Sequence, residues 1–129
     1  MLDFARSRIR SFHNAFAGLW FVIRTQRNAW IHAIITVFVL LITLWLKVTA
    51  RDWALLLLTI GTVWTAEFIN TALEAVVDLA SPQNHPLAKV GKDVGAAAVL
   101  IAAISSIIIG FLILGPPLLE KVNNIFHLF

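Results

Sequence analysis

Three long stretches of this sequence carry no charge: Asn28–Leu46, Trp53–Ala66 and Val94–Leu119, of 19, 14 and 26 residues. A helix packed on a soluble core keeps a polar face on which charges recur every few residues, so uncharged runs of this kind read as bilayer-spanning helices. A soluble globular domain is excluded. Only 13% of the 129 residues are charged, against roughly a quarter in soluble chains. Three spans and their connections use up the length, so a single all-α membrane domain is expected.

Other counts exclude chemistry rather than suggest it. With no cysteine there is no disulfide framework, thiol nucleophile or cysteine-ligated metal. The sequence pI near 10.0 reflects a net charge of only +3, which speaks for membrane orientation and against a nucleic-acid partner. The arginines at 6, 8, 10, 24 and 27 precede no apolar core with a small-residue cleavage site, so the amino terminus is expected to belong to the mature protein.

Along the chain, Phe12, Phe16, Leu19, Trp20 and Ile23 recur at three- and four-residue spacing among Arg6, Arg10, His13, Asn14 and Arg24. This predicts a basic amphipathic helix over about 4–24 lying on the membrane surface. The first span is expected over about 29–46, with Trp30 and Trp45 at its interfaces, and the second over about 53–79. Ser81-Pro82-Gln83-Asn84-His85-Pro86 reads as a turn cluster, and a short stretch through Asp93 leads to a third span over about 94–114, ended by Gly115-Pro116-Pro117. Five arginines before the first span join Lys89 and Lys92 on one side; Lys47, Arg51 and Lys121 fall on the other. The excess puts the amino terminus and the second loop in the cytoplasm.

The second span holds the chemistry. Glu67, Asn70, Thr71, Glu74 and Asp78 fall within roughly a 100° arc of one helix, a polar stripe along its cytoplasmic half. At about 1.5 Å per residue Glu67 lies roughly 21 Å from Trp53, still inside a hydrocarbon core about 30 Å thick, with Glu74 near its boundary and Asp78 beyond it. An ionisable group at the centre of a bilayer costs on the order of 2.5–3.5 kcal/mol, so function explains the stripe better than ornament. Hydrogen-bonded glue between helices accounts for one buried Glu but poorly for three acids and an Asn. Glu67 and Glu74 are about 10.5 Å apart along the axis, too far to share one Mg²⁺ with ligands at about 2.1 Å. The deeper carboxylate suits proton removal from a lipid hydroxyl, and the one at the water boundary can stay ionised and hold a metal. A lipid headgroup meeting a soluble, metal-bound reagent is the reaction this division implies.

Beside the third span, Lys89-Val90-Gly91-Lys92-Asp93 reads either as positive-inside anchoring with a Lys89–Asp93 helical pair or as part of a binding site. Gly91, Gly95, Ala98 and Ala102 form a small-residue step for close helix packing. His85 reads as a turn residue or a nucleotide contact, and His32 as a group behind the site or an interfacial bystander. Neither GxxxxGK[ST] nor GxGxxG is present, so a nucleotide site would be built from membrane helix ends.

The run Glu67-Phe68-Ile69-Asn70-Thr71-Ala72-Leu73-Glu74-Ala75-Val76-Val77-Asp78, with His85-Pro86-Leu87-Ala88-Lys89 and Lys92-Asp93-Val94-Gly95-Ala96-Ala97-Ala98, resembles the small prokaryotic integral-membrane diacylglycerol kinases, a family that includes undecaprenol kinases. The similarity extends back through Ser11–Leu19 and Arg24–Asn28 and leaves out only the tail after Pro117. It implies a homotrimer of three-span subunits in the bacterial inner membrane, with active sites between neighbouring subunits that pass the γ-phosphoryl group of Mg-ATP to a lipid alcohol. On the matching positions, Glu67 is expected as catalytic base and, with Asn70, as lipid-binding residue. Glu74 is expected as Mg²⁺ ligand, and Asn14, Gln26, Glu74, Gln83, Asn84, His85, Lys92 and Asp93 as ATP contacts. Gln26 stands where the family commonly has Glu, so a second metal-ligand position keeps a carbonyl oxygen but loses its charge. His85–Lys89 and Arg24–Asn28 are closer to the polyprenol-phosphorylating branch, which favours undecaprenol over diacylglycerol. Two other readings use the same carboxylates: a small oligomeric proton-coupled transporter, which leaves Lys92-Asp93 unexplained, and an assembly subunit in which the stripe only glues helices.

Overall fold

The apolar stretches and the punctuation between them resolve into four helices. In the computed structural model, which describes residues 2–83 and 85–127, these are α1 (Leu2–Thr25), α2 (Arg27–Leu46), α3 (Ala50–Ala80) and α4 (Pro86–Phe126). Gln26 alone separates α1 from α2. Its extended backbone (φ −97°, ψ 119°) turns the chain while its N–H still donates to Val22 O at 2.9 Å, and Val22 and Ala29 are buried at the joint.

Each remaining boundary has a local cause. Lys47 closes α2 in the left-handed region (φ 55°), its N–H reaching back to Leu44 O. Thr49 and Asp52 then form a capping box: Thr49 Oγ1 accepts from Asp52 N while Asp52 Oδ2 accepts from Thr49 N, satisfying donors that the first turn of α3 leaves open. At the next turn His85 Nδ1 accepts from Leu87 N at 3.2 Å, and Pro86 follows as the first helical residue, where a missing N–H costs nothing.

That cap starts α4 at Pro86, ahead of the charge-free window, and the Lys89–Asp93 ion pair one turn apart supports the added segment. The other end also differs from the sequence expectation, because α4 passes through Pro116 and Pro117 to Phe126. Proline's φ is itself helical; what it removes is a backbone donor, and leaving the helix inside a membrane would orphan far more groups. Beyond the prolines, Lys121 Nζ donates to Trp45 O at 2.7 Å and sits 4.5 Å over the Trp45 ring, fastening this segment to the end of α2.

Helices α2, α3 and α4 are each long and apolar enough to cross a membrane. With 31 residues, α3 is about 46 Å long, so it outruns a hydrocarbon core of about 30 Å and carries its last turns into water. Packing is most extensive between α3 and α4. Gly95 makes it so: a Cβ there would lie 2.9 Å from Leu73 Cδ2 and closer still to Asn70 Oδ1. Thr43, Thr59, Thr62 and Thr71 turn their hydroxyls onto carbonyls one turn back on their own helices, as Thr43 to Val39 O and Thr71 to Glu67 O illustrate. The outer faces stay apolar, with Phe38, Leu58 and Phe111 all more than 60% exposed.

The charge asymmetry of the sequence becomes two ends of a bundle. Lys121 on Trp45 places the carboxyl-terminal part of α4 beside Lys47 of the α2–α3 connection and Arg51 in the first turn of α3, whereas Lys92 pairs with Asp78 at the opposite end.

Candidate functional site

Spacing along α3 turns the polar stripe into a gradient of burial. Glu67 is 1% exposed, Asn70 and Thr71 are buried, Glu74 is half-buried and the Asp78 side chain is open to water. Glu67, Asn70 and Glu74 face α4 and α2, where Gly95 lets the helices close on the stripe.

Glu67, Asn70 and Glu74 line one cleft of about 320 Å³, completed by Asn28, Ile31 and His32 of α2 and by Ala96, Val99, Leu100 and Ala103 of α4. Within it Asn70 Nδ2 donates to Glu74 Oε1 at 2.9 Å, which orients the outer carboxylate. Glu67 Oε2 and Asn70 Oδ1 are buried without a hydrogen-bond partner, Asn70 Oδ1 packing against Gly95. His32 Nε2 stands 3.8 Å from Glu67 Oε2. One carboxylate is withdrawn from water, and the other is held by Asn70 nearer the surface.

A second cleft, about 640 Å³, opens one helical turn further along α3 and is lined by Asp78, Ser81, Gln83, His85, Lys89, Lys92 and Asp93 among others. Both of its lysines are paired, Lys92 with Asp78 and Lys89 with Asp93. These pairs are exposed, worth little in stability, and so readily exchanged for phosphate oxygens. Glu74 in the first cleft and Asp78 in the second are one turn, about 6 Å, apart on the same face, which makes the two clefts neighbours.

Of the residues expected as ATP contacts, Gln83, His85, Lys92 and Asp93 converge on the second cleft and Glu74 lies in the first. Asn84 lies outside the described residues. Asn14 is exposed on α1 and Gln26 is half-buried at the α1–α2 joint, and neither lines these clefts. Among the described residues no three His, Asp or Glu side chains gather as a metal site, so a cation here needs oxygens from its reagent as well as Glu74. An oriented carboxylate supplemented by phosphate oxygens is a donor set suited to Mg²⁺.

Three contributions escaped sequence reasoning. His85 caps α4 through Nδ1, Lys92 reaches across to Asp78 rather than along its own helix, and Asn28 joins the Glu67 cleft. The histidine before a proline is a readable helix-start signal. The other two depend on tertiary packing.

Comparison with known proteins follows the same residues. The signature of the prokaryotic diacylglycerol kinase family matches residues 13–114. Over 109 residues the chain is 40% identical to the undecaprenol kinase of Bacillus subtilis (strain 168), covering 84% of this chain and 89% of that protein. It is 46% identical over 111 residues to the diacylglycerol kinase of Synechocystis sp., covering 85% of this chain and 63% of that one. With the diacylglycerol kinase of Escherichia coli (strain K12) it shares 37% identity over 89 residues, 64% of this chain and 73% of that protein.

Proposed function

The chain belongs to the prokaryotic diacylglycerol kinase family, and on that premise we propose that it transfers the γ-phosphoryl group of ATP to the hydroxyl of a membrane lipid, undecaprenol or diacylglycerol. The observation that carries this reading is the cleft in which a fully buried Glu67, with an unpartnered oxygen, shares walls with the oriented Glu74.

In the proposed reaction the lipid hydroxyl enters the cleft from the membrane and Glu67 takes its proton. The lipid oxygen bonds to the γ-phosphorus as the bond to the β-phosphate bridging oxygen breaks, and ADP leaves. Asn70 keeps its Nδ2 on Glu74 and offers Oδ1 to the incoming lipid. Glu74, with Gln26 as second ligand, would hold Mg²⁺, which when bound offsets negative charge on the phosphate oxygens. Lys92 and Asp93 exchange their present partners for the nucleotide, while Gln83, Asn84 and His85 border it. Burial supports the choice of base: water excluded from Glu67 is water excluded from attack on ATP.

The assembly in this reading is a homotrimer in the bacterial inner membrane. The amino terminus and the second loop lie in the cytoplasm, and α1 lies on the membrane surface with Phe12, Phe16 and Trp20 in lipid. Asn14 and Gln26 stand apart from both clefts in a single chain, and in this reading they complete the site of a neighbouring subunit. Purified protein in lipid vesicles, given Mg-ATP and either diacylglycerol or undecaprenol, is expected to form the phosphorylated lipid, with undecaprenol preferred. Absence of product from both lipids would contradict the proposal.

A further inference from the structure

Glu67 has no evident way to lose a proton once it has taken one. The residue is 1% exposed and makes no hydrogen bond through Oε2. The residues of α4 that wall its cleft, Ala96, Val99, Leu100 and Ala103, carry no titratable group. Along α3 the next ionisable group is Glu74, which is engaged by Asn70. From α2 the cleft receives Asn28, Ile31 and His32. Among the described residues His32 is thus the one side chain in that cleft, besides the two glutamates, able to exchange a proton.

Its position is fixed from behind. The His32 ring packs edge-on to Trp64, with centroids 6.3 Å apart, and Trp64 Nε1 donates to Thr36 Oγ1 at 3.1 Å. His32 and Thr36 are one turn apart on α2, as Trp64 and Glu67 are on α3, so the two helix faces interlock as a chain Thr36, Trp64, His32, Glu67. This leaves Nε2 3.8 Å from Glu67 Oε2, a gap that tightens to a hydrogen bond with a modest side-chain rotation. The His32 side chain is also 15% exposed, and Asn28, one turn nearer the end of α2, is exposed in the same cleft.

We infer that His32 is a positioning residue and proton outlet for Glu67. With its own proton on Nδ1, the neutral ring holds bare Nε2 beside the carboxylate, receives there the proton that Glu67 has taken from the lipid hydroxyl, and releases it to water past Asn28. The inference rests on the proposed kinase reading. No bond other than O–H and N–H is made or broken in this step, and the imidazole returns to its neutral state each turnover.

The test uses full-length enzyme in lipid vesicles with Mg-ATP and lipid, and each variant is checked for wild-type oligomeric size by light scattering in detergent. His32→Leu is expected to lower kcat by about 10²-fold or more with KM for ATP little changed, as loss of acid–base assistance does. His32→Gln, which can still hydrogen-bond but not carry a proton onward, is expected to stay at least tenfold slow. Added imidazole should restore at least tenfold to His32→Ala and nothing to the His32→Ala, Glu67→Gln pair. Wild-type kcat in His32→Leu, full activity in His32→Gln, or no rescue by imidazole would overturn the outlet. Any of these in the presence of an active wild-type enzyme leaves the kinase reading intact, whereas an inactive wild type would fail that reading itself.

Discussion

Glu67 Oε2 combines two costs that a membrane helix ordinarily avoids: burial of an ionisable group, and an acceptor left without a donor at about 1–3 kcal/mol. Asn70 Oδ1 carries the second cost as well, on the same wall of the same cleft. Such groups are kept where a substrate completes them. Gly95 sets their geometry, since its missing side chain is what lets Asn70 stand between the helices. In Gly95→Ala the better helix propensity, worth up to about 1 kcal/mol, works against an overpacking cost of about 1–3 kcal/mol. The new methyl group meets only the flexible ends of Asn70 and Leu73, so the thermal midpoint should move by a few degrees at most while kcat falls at least tenfold as Asn70 is displaced from Glu74. Wild-type turnover in Gly95→Ala would show that the Asn70 position is not critical. At this scale the sequence was informative about whatever repeats along one helix: Glu67, Asn70 and Glu74 share a face by arithmetic alone. His32 beside Glu67 and Lys92 on Asp78 join residues 35 and 14 positions apart, and no periodicity links such pairs.

Among the elements, α3 is the one whose charge-free run is too short to span a membrane. Its charge-free run stops at Glu67, yet the helix continues to Ala80, because the polar stripe interrupts the apolar composition without interrupting the helical backbone. The length missing from the apolar run is the length of the site. Helix α4 was harder to read. The proline in its first turn is a start signal that in sequence reads as part of a turn cluster, and beyond Pro116-Pro117 Lys121 meets the end of α2, a contact no local signal announces. At the far end of α3 from the site, the Thr49–Asp52 capping box offers a clean separation of stability from function. Thr49→Ala should cost about 1 kcal/mol in denaturant titration of the detergent-solubilised protein, with kcat unchanged. A large loss of kcat without loss of stability would mean that this end of the bundle takes part in turnover.

For the whole molecule, the segregation of basic residues in sequence and the two ends of the bundle agree. Lys89 and Lys92 line the end where α3 emerges, and Lys47, Arg51 and Lys121 mark the other. The cleft around Glu67 and the cleft around Lys92 adjoin along α3, so a lipid hydroxyl arriving within the membrane and a nucleotide arriving from water would meet near Glu74. The proposed reaction depends on Glu67 as the group that activates the lipid. The most direct measurement follows ATP labelled at the γ-position in vesicles containing undecaprenol or diacylglycerol, with wild-type protein and Glu67→Gln of equal oligomeric size. Label is expected in the organic phase for the wild type, with a fall of at least 10²-fold for Glu67→Gln. Equal lipid labelling by the two proteins, or release of the label only as inorganic phosphate into water, would contradict the proposed reaction.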